Sequence, residues 1–161
     1  MNSFIFRPYA LVILLSLGGF LATAQQEAYI RFKTDNGKTM SLSLDTTTNT
    51  LTYSYGFAGK PELILSDNLN DTISVFTYAW YMRGGGSAND GLNLTQFRFE
   101  NDGYSYAIYY DYTAVDNQCT CGITVTHLAS GKVTNIKGNP RTLSCNLSRF
   151  RFENLIPVVE L

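Results

Sequence analysis

The chain has 161 residues, 12 Lys plus Arg against 13 Asp plus Glu, a net charge of −1, and 16% charged but 14% aromatic residues. At roughly 150 residues per domain this length suits one globular domain, and the near-neutral balance argues against a nucleic-acid binder and against a charged, disordered tail. The charged share lies below the roughly 25% usual in soluble domains, while the Tyr and Phe content is enough to build a core.

Residues 1–24 read as a cleaved export signal. Arg7 precedes an apolar run from Tyr9 to Leu21, and Ala22-Thr23-Ala24 places small residues at alternate positions, as a signal peptidase requires. The run is interrupted by Gly18 and Gly19 and falls short of the roughly 20 apolar residues of a membrane span. The expected mature chain, residues 25–161, therefore has no transmembrane segment and belongs in the periplasm or outside the cell. No Cys stands at the cleavage point, so a lipoprotein is not expected.

Beyond the signal the pattern is one of strands joined by tight turns. Tyr29–Lys33 and Thr39–Leu44 flank Asp35-Asn36-Gly37, a hairpin signal, and Met40, Leu42 and Leu44 alternate with polar residues. After polar Asp45–Asn49, Leu51, Tyr53 and Tyr55 alternate again. Gly56–Pro61 then turns the chain into Glu62–Leu65. Polar Ser66–Asp71 reads as a loop that could also cap a helix, and its stretch Asp67-Asn68-Leu69-Asn70-Asp71 lacks the spacing of a calcium loop. Ile73–Arg83 fits a helical stripe through Leu69, Ile73, Phe76 and Trp80, or a strand face through Phe76, Tyr78, Trp80 and Met82. Its β-branched and aromatic residues favour the strand.

Leu92–Glu100 and Tyr104–Tyr112 flank Asn101-Asp102-Gly103, the clearest hairpin of the chain. The apolar parity switches from Leu92 and Leu94 to Phe97 and Phe99, which predicts a β-bulge near Thr95–Gln96. Gly122–Leu128 and Val133–Lys137 flank Ala129-Ser130-Gly131. A second switch separates Leu143, Cys145 and Leu147 from Phe150 and Phe152. Pro140 and Pro157 cannot donate to a ladder and mark loops or edges. Short strands with turns at roughly 8 to 12 residue spacing predict an all-β, single-domain antiparallel β-sandwich or small β-barrel of about 8–9 strands, spanning residues 25–161.

Export makes the cysteines informative, because an oxidising compartment permits disulfides and three thiols leave one over. Cys121 shares the parity of Ile123 and Val125, and Cys145 that of Leu143 and Leu147, so both are expected to face inward. A Cys121–Cys145 bridge, or one from Cys119 to Cys145, would close a loop worth about 3 to 4 kcal/mol on the chain-entropy model. Buried free thiols are the alternative. Three Cys and a distant His127 lack zinc-ligand spacing, so no metal is expected, and nothing implies a cofactor.

The catalytic inventory is thin. His127 is the only histidine, no G-x-S-x-G elbow occurs, and Glu100 and Asp111 lie on opposite arms of one hairpin. No residue is assigned a catalytic role. Binding candidates are easier to name. The loop Arg83 to Gly91 carries Gly84, Gly85, Gly86, Asn89 and Asp90, and successive N–H groups beside Arg83 could form an anion-binding nest. Tyr104 and Tyr106 share a strand face with Tyr110 and Tyr112, and aromatic ladders of this kind serve either as cores or as contact surfaces. Residues 117–161 hold five basic and two acidic side chains, and Arg149 and Arg151 are expected on one face of a strand as a basic patch.

These features predict an exported binding module for a protein or polysaccharide partner, without nucleic acid. The chain is similar to small periplasmic lysozyme inhibitors in size, export signal and β content, which implies inhibition of an extracellular hydrolase through a projecting loop. The alternatives are a β-barrel carrying a small apolar ligand among inward Tyr and Phe side chains, or a hydrolase.

Overall fold

The computed structural model describes residues 26–161; the predicted export segment lies outside them. Two antiparallel five-stranded sheets face each other as a sandwich and do not close into a barrel. The first sheet contains β1 (Gln26–Lys33), β2 (Thr39–Asp45), β3 (Thr50–Phe57) and β4 (Lys60–Asn68). The second contains β5 (Thr77–Arg83), β6 (Leu92–Asn101), β7 (Tyr104–Thr113), β8 (Gln118–His127) and β9 (Val133–Lys137). The chain then returns to the first sheet, where β10 (Ser144–Cys145) pairs with β1, and α1 (Ser148–Phe152) follows. The spatial orders are β10-β1-β2-β3-β4 and β5-β6-β7-β8-β9.

The turns form where the sequence predicts them, for a steric reason. In the β6–β7 turn, Asp102 and Gly103 take φ of 47° and 77°, the paired positive angles of a type I′ hairpin, which matches the twist of the strands it joins. Strand alternation then delivers Phe32, Met40, Leu42, Leu44, Leu51, Tyr53 and Tyr55 from one sheet to a core shared with Tyr78, Phe97, Phe99, Ile108 and Ile123 from the other.

Three local expectations are corrected. β6 carries no bulge, since its register is unbroken against both β5 and β7. Leu92 and Leu94 instead lie on the outer face with Gln96 and Arg98, half-buried, because a strand with neighbours on both sides shelters apolar residues on either face. The register shifts that do occur are in β1, between Ala28 and Ile30, and between Tyr55 and Gly56. The first breaks the alternation, so Tyr29 and Ile30 are both fully buried. The strand drawn from Ile73 begins only at Thr77, because Asp67, buried at the end of β4, accepts hydrogen bonds from the Ser74 hydroxyl and the Val75 N–H and holds that segment as a connection.

The third correction concerns the C-terminal region. The parity switch there is a change from strand to helix: Arg149 and Arg151 belong to α1, not to a strand. Phe150 is the buried residue of this helix. Its ring sits 4.6 Å from Tyr29 of the first sheet, and 4.7 Å and 5.6 Å from Phe97 and Tyr78 of the second, so the helix seals one end of the sandwich. Cys145, expected inward and buried, is solvent-exposed, because β10 is a two-residue edge strand with nothing beyond it.

Two further contacts tie the sheets. At the end of β1, Asp35 N–H donates to Lys137 and Asn139 N–H to Lys33, at 3.0 Å and 2.7 Å. Gly138 permits this approach: a Cβ there would lie 2.7 Å from both Cys121 Sγ and a Phe32 ring carbon. The free edge of β5 is covered by the C-terminal tail, with Tyr78 N–H bonded to Pro157 and Val159 N–H to Tyr78, each at 2.9 Å, which blunts an edge open to aggregation.

Candidate functional site

Residues directly opposite in an antiparallel sheet share a face, so the ladder registers give the inner surface of the second sheet row by row. One row runs Tyr78, Phe97, Ile108, Ile123 and is sealed by the first sheet and α1. The next runs Trp80, Thr95, Tyr110, Cys121, where Thr95 and Cys121 are buried and the two aromatics half-open. The last runs Met82, Asn93, Tyr112, Cys119, with Met82 exposed and the other three half-buried.

Arg151 reaches onto these two outer rows from α1. Its Nη2 donates to Asn93 Oδ1 at 2.8 Å and lies 3.5 Å from Thr95 Oγ1, its Nε donates to the Tyr78 hydroxyl at 3.4 Å, and its Nη1 lies 3.8 Å from Met82 Sδ. The guanidinium also stands over the Trp80 ring, 5.2 Å from its centroid. All of these partners are neutral. The ion pairs among the described residues are Lys38–Glu62 and Arg149–Glu153, so Arg151 has no carboxylate. Burial raises the pKa of Tyr78, against the pull of the adjacent Arg151, and the phenol stays protonated as an acceptor for Nε.

The glycine loop closes the same end of the sheet. It leaves β5 at Arg83, whose Nε and Nη2 both donate to the Asp90 carbonyl at 3.0 Å and 2.7 Å. Asn89 Nδ2 donates to the Gly84 carbonyl at 2.9 Å, and Gly91 N–H to Gly86 at 2.8 Å. Gly85 has φ of 97°, and a Cβ there would lie 2.7 Å from the Asn89 Cβ. The loop is thus internally bonded, and the guanidinium expected to stand beside a nest closes the loop instead. Ala114 N–H donates to Gly91 at 2.7 Å, which locks the loop to the β7–β8 turn beside Tyr112.

The predicted binding residues therefore divide. Arg83, Gly84, Gly85, Gly86, Asn89, Asp90 and Arg151 gather at the loop-bearing end of the second sheet. Arg149 is elsewhere: a helix turns its side chain away from Arg151, and it binds Glu153 at 2.8 Å and the Tyr29 hydroxyl at 3.0 Å, so the two arginines form no shared patch. Tyr104 and Tyr106 stand at the opposite end of β7, where Tyr104 packs on His127 at 4.9 Å and Tyr106 stacks on Phe99 at 4.7 Å with an interplanar angle of 10°. His127 Nδ1 is hydrogen-bonded to Ser130 Oγ at 2.7 Å across the β8–β9 turn. Sequence reasoning did not assemble Trp80, Asn93 and Tyr112 into a site. The alternation Trp80/Met82 against Asn93/Thr95 was the available signal, once paired strands were assumed.

The three thiols are free, and the Cys121–Cys145 bridge is not formed. Desolvation raises the pKa of all three thiols, partial for exposed Cys145 and opposed there by the nearby Arg151, and strongest for Cys121, which reaches about 12, so none is a ready thiolate at neutral pH. Among the described residues no three His, Cys, Asp or Glu side chains come together as a metal set, and no helix is long and apolar enough to cross a membrane. The chain matches no family model, no curated protein and no solved structure.

Proposed function

We propose that the chain is an exported, non-catalytic binding module that holds a protein or polysaccharide partner against the loop-bearing end of its second sheet. One observation carries this reading: Arg151 is a half-buried cation held by neutral groups alone. Partial withdrawal of a charge from water is costly without a counter-charge, and the guanidinium is fixed in place with Nη1 facing only the Met82 sulfur, which leaves an N–H of that atom to donate to a carboxylate. Trp80, Tyr110 and Tyr112 add stiff contact area around it, of the kind that binding surfaces use. The rigid glycine loop forms the rim.

An acidic group supplied by the partner completes such a site. Glycoside hydrolases carry paired carboxylates in their clefts, so inhibition of a lysozyme-type enzyme is the specific form to test first. The purified chain is assayed against lysozymes for lysis of cell walls, and in parallel for co-sedimentation with insoluble peptidoglycan and retention on a polygalacturonate matrix. Binding in at least one arm is expected, with Arg151→Gln weakening it about tenfold to a hundredfold, the range of a hydrogen bond to a charged group. No binding in any arm, or binding that Arg151→Gln and Trp80→Ala leave unchanged, overturns the proposal.

A further inference from the structure

A concave feature lies apart from the Arg151 platform, between the open margins of the two sheets. It is a cleft of about 360 Å³, with walls from Leu63 of β4 and from Ile123, Val125 and Ile136 of β8 and β9. That volume sits at the lower end of the roughly 300–1,000 Å³ of small-molecule sites. The tyrosines are its unusual part. Tyr53 is 1% exposed and Tyr106 half-buried, and both line the cleft. Among the described residues neither hydroxyl has a hydrogen-bond partner, whereas the hydroxyl of the neighbouring Tyr55 accepts a bond from Asn36 Nδ2 at 2.9 Å. Among the described residues no sealed side-chain N or O lacks a partner, so the Tyr53 hydroxyl opens on the cleft. A phenol with its ring in the core and its donor unspent in an apolar recess is a costly arrangement unless something accepts from it.

We propose that this cleft is a small-molecule site for an uncharged, largely apolar ligand bearing a carbonyl or ether oxygen, which accepts hydrogen bonds from the Tyr53 and Tyr106 hydroxyls. The absence of charge follows from the lining. Its one ionic group, Glu62, is already paired with Lys38 at 2.7 Å, so a charged ligand would enter with no counter-ion. A saccharide would set hydroxyls against Leu63, Ile123, Val125 and Ile136, the four aliphatic side chains of the wall, whereas an apolar ligand covers them. Burial raises the pKa of both tyrosines, which keeps them as protonated donors across the neutral range. Tyr106 lies flat against Phe99, so its hydroxyl is held in a fixed direction.

The test uses prodan, a neutral naphthyl ketone whose emission shifts to the blue in an apolar site. Titration of the purified chain is expected to give a saturable shift at one probe per chain. Tyr53→Phe and Tyr106→Phe each remove one hydroxyl while keeping the ring, and are expected to weaken binding about threefold to tenfold apiece. Val125→Trp fills the cleft and is expected to abolish it. Near-ultraviolet circular dichroism checks that each variant is folded, and the two conservative Phe variants decide the matter if Val125→Trp is not. Arg151→Gln is expected to bind prodan as the unmodified chain does. No saturable shift, or an affinity unchanged in the Tyr53→Phe, Tyr106→Phe double variant, overturns the assignment.

Discussion

Replacing Phe150 by Ala tests whether α1 is a structural plug or an appendage. The side chain is 1% exposed and its ring meets Tyr29, Phe97 and Tyr78 at centroid distances of 4.6, 4.7 and 5.6 Å, so truncation removes contacts with both sheets at once. Buried Phe→Ala changes cost about 3 to 5 kcal/mol. Tyr29 and Tyr78 are themselves fully buried and have little freedom to fill the void, but α1 is a single short helix near the C-terminus that can settle inward, which favours the lower half of that range. With a urea slope of about 2 kcal/mol per molar for a domain of this size, the unfolding midpoint should fall by about 1.5 to 2 M, read by the fluorescence of Trp80. Phe152 provides the control: it lies on the same helix, is 77% exposed, and its replacement by Ala should shift the midpoint by less than about 0.25 M. A fall below 0.5 M for Phe150→Ala, or equal effects of the two substitutions, would refute the assignment of the helix as a seal.

Alkaline pH should erode stability through Cys121, whose buried thiol is held near 12 in the folded chain against about 8.5 to 9 unfolded. A raised folded pKa means the stabilisation is complete below the unfolded value and is lost as pH climbs through the window up to 12, with buried Tyr53 and Tyr78 adding to the loss above about pH 10. The urea midpoint should stay flat from pH 6 to 8 and fall between 9 and 12, with a later onset in Cys121→Ala. Alkylation by iodoacetamide, followed by mass spectrometry of the native chain, should modify exposed Cys145 first, half-buried Cys119 more slowly and buried Cys121 last, all three reacting together in denaturant. Gly85→Ala forces a side chain onto a φ of 97° and against Asn89, so protease cleavage between residues 84 and 91 should accelerate while the global unfolding free energy falls by no more than about 1 kcal/mol.

Much of the scaffold is legible in local chemistry. The alternation of Met40, Leu42 and Leu44 and of Leu51, Tyr53 and Tyr55 predicts which face is buried, because a period of two leaves the core no other choice. Asp102-Gly103 predicts its own turn for an equally local reason. The misreadings arise where a residue's role is set from a distance. Leu92 and Leu94 look like core residues until neighbours are known to shelter the outer face of β6. Arg149 and Arg151 read as one face of a strand although the apolar parity switches between Leu147 and Phe150, yet Phe150 is buried by rings from both sheets and its segment closes as a helix. The candidate site shows the same division. Arg83 and the glycines were visible as an unusual loop, whereas the role of Arg151 depends on Trp80 and Asn93, which lie 71 and 58 positions earlier in the chain.

The tyrosine stripe on β7 shows how one strand serves two surfaces. Its inner face runs Tyr104, Tyr106, Ile108, Tyr110, Tyr112, and only the central Ile108 is sealed in the core. Tyr106 belongs to the cleft between the sheets and Tyr110 and Tyr112 to the platform around Arg151, so the buried row through Tyr78, Phe97, Ile108 and Ile123 stands between the two. Tyr106 and Tyr110 lie four positions apart on the strand, about 13 Å at about 3.3 Å per residue. At that distance, with no shared hydrogen-bond partner, substitutions are additive within a few tenths of a kcal/mol. A ladder whose function was only to stabilise the sheet would keep its tyrosines packed along its whole length. Here the aliphatic residue takes the sealed position and the phenols flank it, which is the distribution expected when their hydroxyls must reach solvent or a ligand at both ends.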